Sequence, residues 1–178
     1  MNQRKLVLYI AATLDGYIAT KDHNLDWLLS VDGEGDNGYS KFYDTVDTVL
    51  MGRITYDWII DHEKGDFPYQ GKECYVFSRT KKDMKQHVKF ISEDIIEFTK
   101  ELKQKEGNNI WLVGGGATLK AFIKENLIDE IIVTIAPHLL GNGIALFNEN
   151  ESEIKLSLKS VNRYNQFVEL HYEVIHNE

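Results

Sequence analysis

The amino-acid sequence predicts an α/β protein: a mostly parallel sheet between two layers of helices (three-layer α/β/α), with an antiparallel hairpin at the carboxyl end. Three observations point there. Strand-length apolar runs alternate with helix-length amphipathic segments, the pattern of parallel strands joined by crossover helices. Two of the runs stop at glycine and lead directly into a helix, one at Gly52 and one at Gly114, Gly115 and Gly116. Residues 156–164 and 167–175 read as two strands turning back at Asn165 and Gln166, which adds an antiparallel edge.

Taken in order, residues 6–12 are an aliphatic run bounded by Thr13, Asp15 and Gly16, a buried strand ending in a turn. Residues 22–38 form a long polar connection anchored by Trp27, Leu28 and Leu29, and residues 39–46 follow as a helix. Residues 48–51 are a short buried strand stopped by Gly52, and residues 54–60 resume as a helix. Residues 61–71, with Pro68, are a second loop; strands follow at 73–78 and 88–91. Ile95, Phe98 and Leu102 recur at helical spacing within 94–104, a helix that closes near Gly107. A strand at 110–113 runs through the three glycines into a helix over 117–126, and residues 130–136 form the next strand. No repeat, low-complexity tract or long linker interrupts the 178 residues, so one domain with one core is expected.

Composition narrows the function. Hydrophobic residues at 43% and charged residues at 27% are ordinary for a soluble globular chain. The apolar runs are far short of a membrane span, and the amino terminus carries no signal-peptide core, so a cytoplasmic protein is expected. A single cysteine, Cys74, excludes an intrachain disulfide and a thiolate metal cluster. The six histidines show no pair at metal-ligand spacing, so no metal site is expected. The net charge of -8 disfavours nucleic acid and anionic membrane, and Asp83 interrupts the one dense basic stretch, residues 79–85. The expected partner is a small molecule whose anionic parts are met by a few well-placed cations.

The glycine turns supply candidates for that role. A helix N-terminus leaves backbone N–H groups unpaired and carries partial positive charge, which suits a phosphate. Glycine there tolerates positive φ and removes a Cβ from the path of a ligand. Three consecutive glycines exceed what a tight turn needs, and folding loses entropy at each. Neither turn has Rossmann G-x-G-x-x-G spacing or a Walker lysine.

Five motifs in order carry a family resemblance: residues 12–19 (Ala-Thr-Leu-Asp-Gly-Tyr-Ile-Ala), 51–56 (Met-Gly-Arg-Ile-Thr-Tyr), Ser78-Arg79, 113–116 (Val-Gly-Gly-Gly) and 136–143 (Ala-Pro-His-Leu-Leu-Gly-Asn-Gly). Over nearly its whole length the chain resembles the dihydrofolate reductase superfamily. More narrowly it resembles the reductase domain of bacterial riboflavin biosynthesis (RibD C-terminal) and its stand-alone relatives. The resemblance implies NADPH as hydride donor. It matches Gly52, Arg53 and Thr55 to one phosphate-binding turn, and Val113, Gly114, Gly115, Gly116, Ala117 and Thr118 to the other. Ser78 and Arg79 match the strand end that meets the adenosine ribose 2′-phosphate, for which arginine offers a planar fork.

On the substrate side, reduction of a C=N or C=O bond needs a proton, which a buried carboxylate can supply. Family spacing places Asp36 at the start of the pocket helix; its alternative reading is a loop acid or helix cap. By the same resemblance Thr134 is a pocket threonine, its hydroxyl bonded either to substrate or to a strand carbonyl. Asp15 faces the nicotinamide end or simply shapes a turn before glycine. Lys72 stands where dihydrofolate reductases place an arginine for the folate carboxylate, which argues against folate. Trp27, Tyr39 and Phe42 stack on a flat ring or pack the core. The expected activity is NADPH-dependent reduction of a pteridine or aminopyrimidine such as 5-amino-6-(5-phosphoribosylamino)uracil; the alternatives are an authentic dihydrofolate reductase and a catalytically silent NADPH-binding protein. Related reductase domains pair through the neighbourhood of residues 137–147 and their last strands, so a homodimer is expected.

Overall fold

A computed structural model describes residues 3–63, 66–80, 87–148 and 153–176. In chain order the elements are β1 (Leu6–Thr13), β2 (Tyr17–Ala19), α1 (Asp26–Leu29), α2 (Tyr39–Tyr43), β3 (Val46–Gly52), α3 (Arg53–His62), β4 (Glu73–Phe77) and β5 (Lys89–Ile91). They continue with α4 (Ile95–Gln104), β6 (Asn109–Gly114), α5 (Gly116–Lys124), β7 (Glu130–Ala136), β8 (Ile144–Ala145), β9 (Lys155–Tyr164) and β10 (Phe167–Ile175). Eight strands form one sheet in the order β5-β4-β3-β6-β1-β7-β10-β9, parallel from β5 to β7 and antiparallel in the last hairpin.

The central strands β1, β3 and β6 are buried on both faces, which explains their continuous apolar runs. On one face Leu8, Leu50 and Leu112 pack against Leu102 of α4 and Leu119 and Phe122 of α5. On the other, Val49, Met51 and Trp111 pack against Phe42 of α2 and Tyr56 and Ile59 of α3. Helices thus cover both faces, as the alternating pattern predicts. No helix among the described residues is long and apolar enough to cross a membrane.

Several boundaries differ from the sequence reading. The helix expected over 39–46 ends at Tyr43, because Val46 is wholly buried as the first residue of β3. The helix expected from Ala117 begins at Gly116 and stops at Lys124, two residues before Asn126 takes a left-handed φ of 53°. The helix after Asp94, by contrast, stops at Gln104, where it is expected to end. Strands β2 and β8 pair with each other in a separate two-stranded sheet; at two or three residues they are too short to show a period. Asn165 turns the last hairpin at φ 55°, the conformation that glycine usually supplies. Most of the basic stretch, residues 81–85, lies outside the described residues.

Candidate active site

The order β4-β3-β6 sets three strand ends side by side on one edge of the sheet, the edge where ligands of open α/β sheets bind. Ser78 and Arg79 follow β4, Gly52 and Arg53 end β3 and begin α3, and Gly114, Gly115 and Gly116 join β6 to α5. The two glycine turns touch. A Cβ on Gly115 would lie 3.1 Å from both the Cα and the N of Gly52, and Gly115 itself sits at φ 113°. Gly52 has an ordinary φ of -75°, so close approach, not chain conformation, requires glycine there: its Cβ would come 3.3 Å from Thr118 Oγ and 3.4 Å from Gly115 Cα.

Gly114 and Gly116 are different. A Cβ on Gly116 would meet nothing nearer than Asn148 Nδ2 at 3.9 Å, and one on Gly114 nothing nearer than Thr55 Oγ at 3.5 Å. A side chain at either position would make only ordinary van der Waals contact, so the chain itself does not require glycine there. Neither α3 nor α5 has a side-chain cap, whereas α4 is capped by Asp94 through the N–H groups of Ile96 and Glu97. Two helix N-termini with free amides face one edge, with the Thr55 and Thr118 side chains beside the turns. Ala117 is exposed and Val113 half-buried. Arg53 is half-engaged: its Nε donates to both Asp57 oxygens at 2.7 Å, and its guanidinium lies 5.8 Å from the Phe90 ring centre. Arg79 is exposed, and the Ser78 hydroxyl donates to the Thr80 carbonyl at 3.1 Å.

Toward β10, strand register builds a polar row across the sheet face that carries α2. Ala11 of β1 pairs with Thr134 of β7, Thr134 with Glu169 of β10, and Glu169 with Asn162 of β9, so all four project to one side. Thr134 and Glu169 are buried, yet Tyr9 and Ala11, on a central strand, are only half-buried. The five-residue α2 leaves that end of the strand incompletely covered. The Tyr9 ring stacks on Phe42 at 3.9 Å with Trp111 edge-on at 6.0 Å. Burial, together with the nearby Glu169, Tyr164 and Asp36 charges, pushes its hydroxyl well above the ordinary tyrosine range.

Three sequence candidates have other duties. Asp36 is exposed and accepts from the N–H groups of Gly38 (3.0 Å) and Ser40 (2.8 Å); the Ser40 side chain first, then these backbone bonds, hold its carboxyl below the usual range. It fastens the entry to α2, the capping alternative, and is not a buried pocket acid. Asp15 is exposed too. It accepts from the Thr13 hydroxyl at 2.6 Å and from the N–H groups of Leu140 and Gly141, with the Thr13 bond the largest cause of a carboxyl brought down to about 2. It ties the β1 turn to the 138–141 loop. Lys72 precedes β4 at the opposite end of the sheet from the glycine turns. It donates to the carbonyls of Tyr43 (3.1 Å) and Val46 (2.8 Å) over the Tyr43 ring, a brace and not an anion clamp.

Trp27 and Thr134 are both buried. Trp27, on α1, is buried against Ala136 and Phe167, and its indole Nε1 has no hydrogen-bond partner. Among the described residues none hydrogen-bonds the Thr134 hydroxyl. Glu169 escaped the sequence reading. The alternation Phe167, Glu169, His171 places it on one strand face, but only the pairing with Thr134 brings it to the site.

The model of the RibD C-terminal domain matches residues 4–170. The chain belongs to the RibD C-terminal domain family. It is 51% identical over 174 residues to the uncharacterized protein YwjB of Bacillus subtilis, covering 96% of this chain and 98% of that one. Among solved structures, a putative riboflavin biosynthesis protein from Shewanella sp. PV-4 superposes with a TM-score of 0.86 at 33% identity, covering 97% of this chain and 99% of the other. A diaminohydroxyphosphoribosylaminopyrimidine deaminase/5-amino-6-(5-phosphoribosylamino)uracil reductase from Thermotoga maritima gives 0.70 at 15% identity, with 97% of this chain aligned to 57% of that larger one; this likeness shows the fold alone. The fold is thus the dihydrofolate-reductase-like α/β fold, and this RibD C-terminal domain is of the reductase-like type found in riboflavin biosynthesis.

Proposed function

We propose that this RibD C-terminal domain is an NADPH-dependent reductase of a small flat heterocycle, a pteridine or an aminopyrimidine such as 5-amino-6-(5-phosphoribosylamino)uracil. The observation that carries the reading is the pair of uncapped helices, α3 and α5, whose glycine turns touch while the chain itself does not require glycine at Gly114 and Gly116. Bound NADPH would supply the hydride. Gly52, Arg53 and Thr55 would hold one phosphate group, and Val113, Gly114, Gly115, Gly116, Ala117 and Thr118 the other. Ser78 and Arg79, on the strand next to Gly52, would meet the 2′-phosphate. The free Nη end of Arg53 can reach a phosphate while its Nε stays on Asp57. Trp27 and Thr134 would border the heterocycle and exclude water from it.

The test is a fluorescence titration with NADPH and NADH, followed by an oxidation screen on dihydrofolate, aminopyrimidines and quinones. The expected result is NADPH binding with turnover on an aminopyrimidine or pterin. Absence of NADPH binding overturns the reading. Binding with no turnover on any of the three classes leaves a silent NADPH-binding protein in its place.

We further propose a homodimer through the last hairpin. Leu156, Leu158, Val161 and Val168 are exposed, and strand register turns them all to the face opposite Glu169. A row of apolar side chains on an edge hairpin invites pairing. The neighbouring segment 137–147 is tied to the chain through backbone bonds to Leu14 and Gly16 and the β8–β2 pairing, and it exposes Leu139 and Phe147. The expected contact takes in this segment together with β9 and β10.

A further inference from the structure

The sheet face that carries α2 holds two buried carboxylates, and their surroundings differ. Glu130, 6% exposed at the start of β7, is met by Lys5 at 2.6 Å, Lys159 at 2.7 Å and His171 at 2.7 Å. Glu169, 7% exposed, has one hydrogen bond, from Asn162 Nδ2 to Oε1 at 2.9 Å, and no cation within ion-pair distance among the described residues. Its second oxygen, Oε2, accepts from none of the described residues and is not sealed from solvent, so it stays available to an incoming donor.

Glu169 has fewer partners than Glu130. Thr134, its register partner, has a hydroxyl with no partner, and Ala11 beyond it is small and half-buried. Tyr9 lines the same space and is close enough for the Glu169 charge to raise its hydroxyl. Lys5, Lys159 and His171 on this face are bonded to Glu130, and the groups beside Glu169, namely Asp36, Tyr164 and Asn162, are acidic or neutral. A ligand here must bring hydrogen-bond donors or positive charge.

We propose that Glu169, with Thr134 beside it, is the residue that recognises the substrate, by accepting from adjacent N–H groups on the edge of an amino-substituted nitrogen heterocycle. The proposal rests on the reductase reading and narrows its substrate class. Two neighbouring donors, a ring N–H and an exocyclic amine, match the free lone pairs of one carboxylate, as guanidinium does in bidentate pairs. Rings with only carbonyl oxygens at that edge would set acceptor against acceptor and be rejected. The arrangement also accounts for Asp36 being free to cap α2: the buried acid of the cleft comes from β10.

Calorimetric titration of the protein with 2,4-diaminopyrimidine tests this, with unsubstituted pyrimidine as control, on the native chain, Glu169→Gln and Thr134→Val. Diaminopyrimidine is expected to bind the native chain and pyrimidine at least tenfold more weakly. Glu169→Gln should weaken diaminopyrimidine about tenfold or more, the scale of a charged hydrogen bond, and leave NADPH affinity unchanged. Its Tm should hold, because the glutamine amide oxygen can keep the Asn162 bond; a carboxylate with a structural role would give a fall. Equal diaminopyrimidine affinity in native and Glu169→Gln chains overturns the proposal, as does a native chain that does not bind it. Loss of NADPH binding in the native chain with Glu169-dependent diaminopyrimidine binding intact would instead sink the reductase reading and leave this site standing.

Discussion

Gly115 meets the backbone of Gly52 at a distance where a methyl group could not fit without a shift, since its Cβ would lie 3.1 Å from two Gly52 atoms. The contact joins the ends of β3 and β6 and sets the spacing of the two helix N-termini behind them. Gly115→Ala combines this clash with a left-handed φ of 113° and is expected to cost about 1–3 kcal/mol in a urea melt. Gly116→Ala makes only an ordinary contact, 3.9 Å to Asn148 Nδ2, at a helix start, so its stability should stay within about 0.5 kcal/mol of native. NADPH affinity is expected to drop in both. A Gly116→Ala chain that folds normally and binds NADPH as tightly as native would show that no phosphate lies against α5.

Arg79 follows the strand end nearest Gly52 and is exposed, free to form a fork around an anion. Arg79→Ala should weaken NADPH roughly tenfold, on the scale of about 1.5–3 kcal/mol for a charged hydrogen bond, and leave NADH unaffected. Parallel titrations with the two nucleotides measure the ratio, and an unchanged ratio removes Arg79 from the site.

Glu130 predicts an acid-sensitive edge to stability. Burial by itself raises its carboxyl, but hydrogen bonds from Lys159, Lys5 and His171 outweigh burial and bring it down to about 2 from an ordinary 4.5. A depressed folded-state value stabilises the protein above pH 4.5, and that contribution is lost as pH falls from there toward 2. Glu130→Gln should cost about 1–3 kcal/mol at pH 7, the lower part of the range for a buried pair because Lys5 and Lys159 reach solvent. Near pH 2 the variant and the native chain should converge; a constant difference across that span would contradict the assignment.

The exposed hairpin face predicts a mutation that separates association from folding. Leu158 is 55% exposed, so Leu158→Glu disturbs no core packing. Light scattering is expected to give twice the 20.6 kDa chain mass for the native protein and the single mass for the variant, with equal melting temperatures at low concentration. A native mass of 20.6 kDa would end the dimer reading.

The elements that depend on local pattern were legible in the chain itself. The run of residues 130–136 is a strand in sequence and in structure, because a buried parallel strand must be apolar on both faces. Asp94 before Ile95 is a helix start with its cap bonds made. The two glycine turns were visible because strand, glycine and helix start lie within a few residues of one another. Asp15, Asp36 and Lys72 show where such reading stops: each has the right chemistry, and each is spent on backbone groups of a neighbouring segment.

The sequence by itself determined the layered α/β fold and the glycine-marked helix N-termini, since each follows from periodicity or a motif a few residues long. Only the tertiary structure decided which carboxylate belongs to the cleft. Glu169 lies 35 residues beyond Thr134 and reaches it through antiparallel pairing of β10 with β7, a relation of register between distant strands. Burial and countercharge are properties of the assembled sheet: they closed two lysines and a histidine around Glu130 and left Glu169 with a single amide.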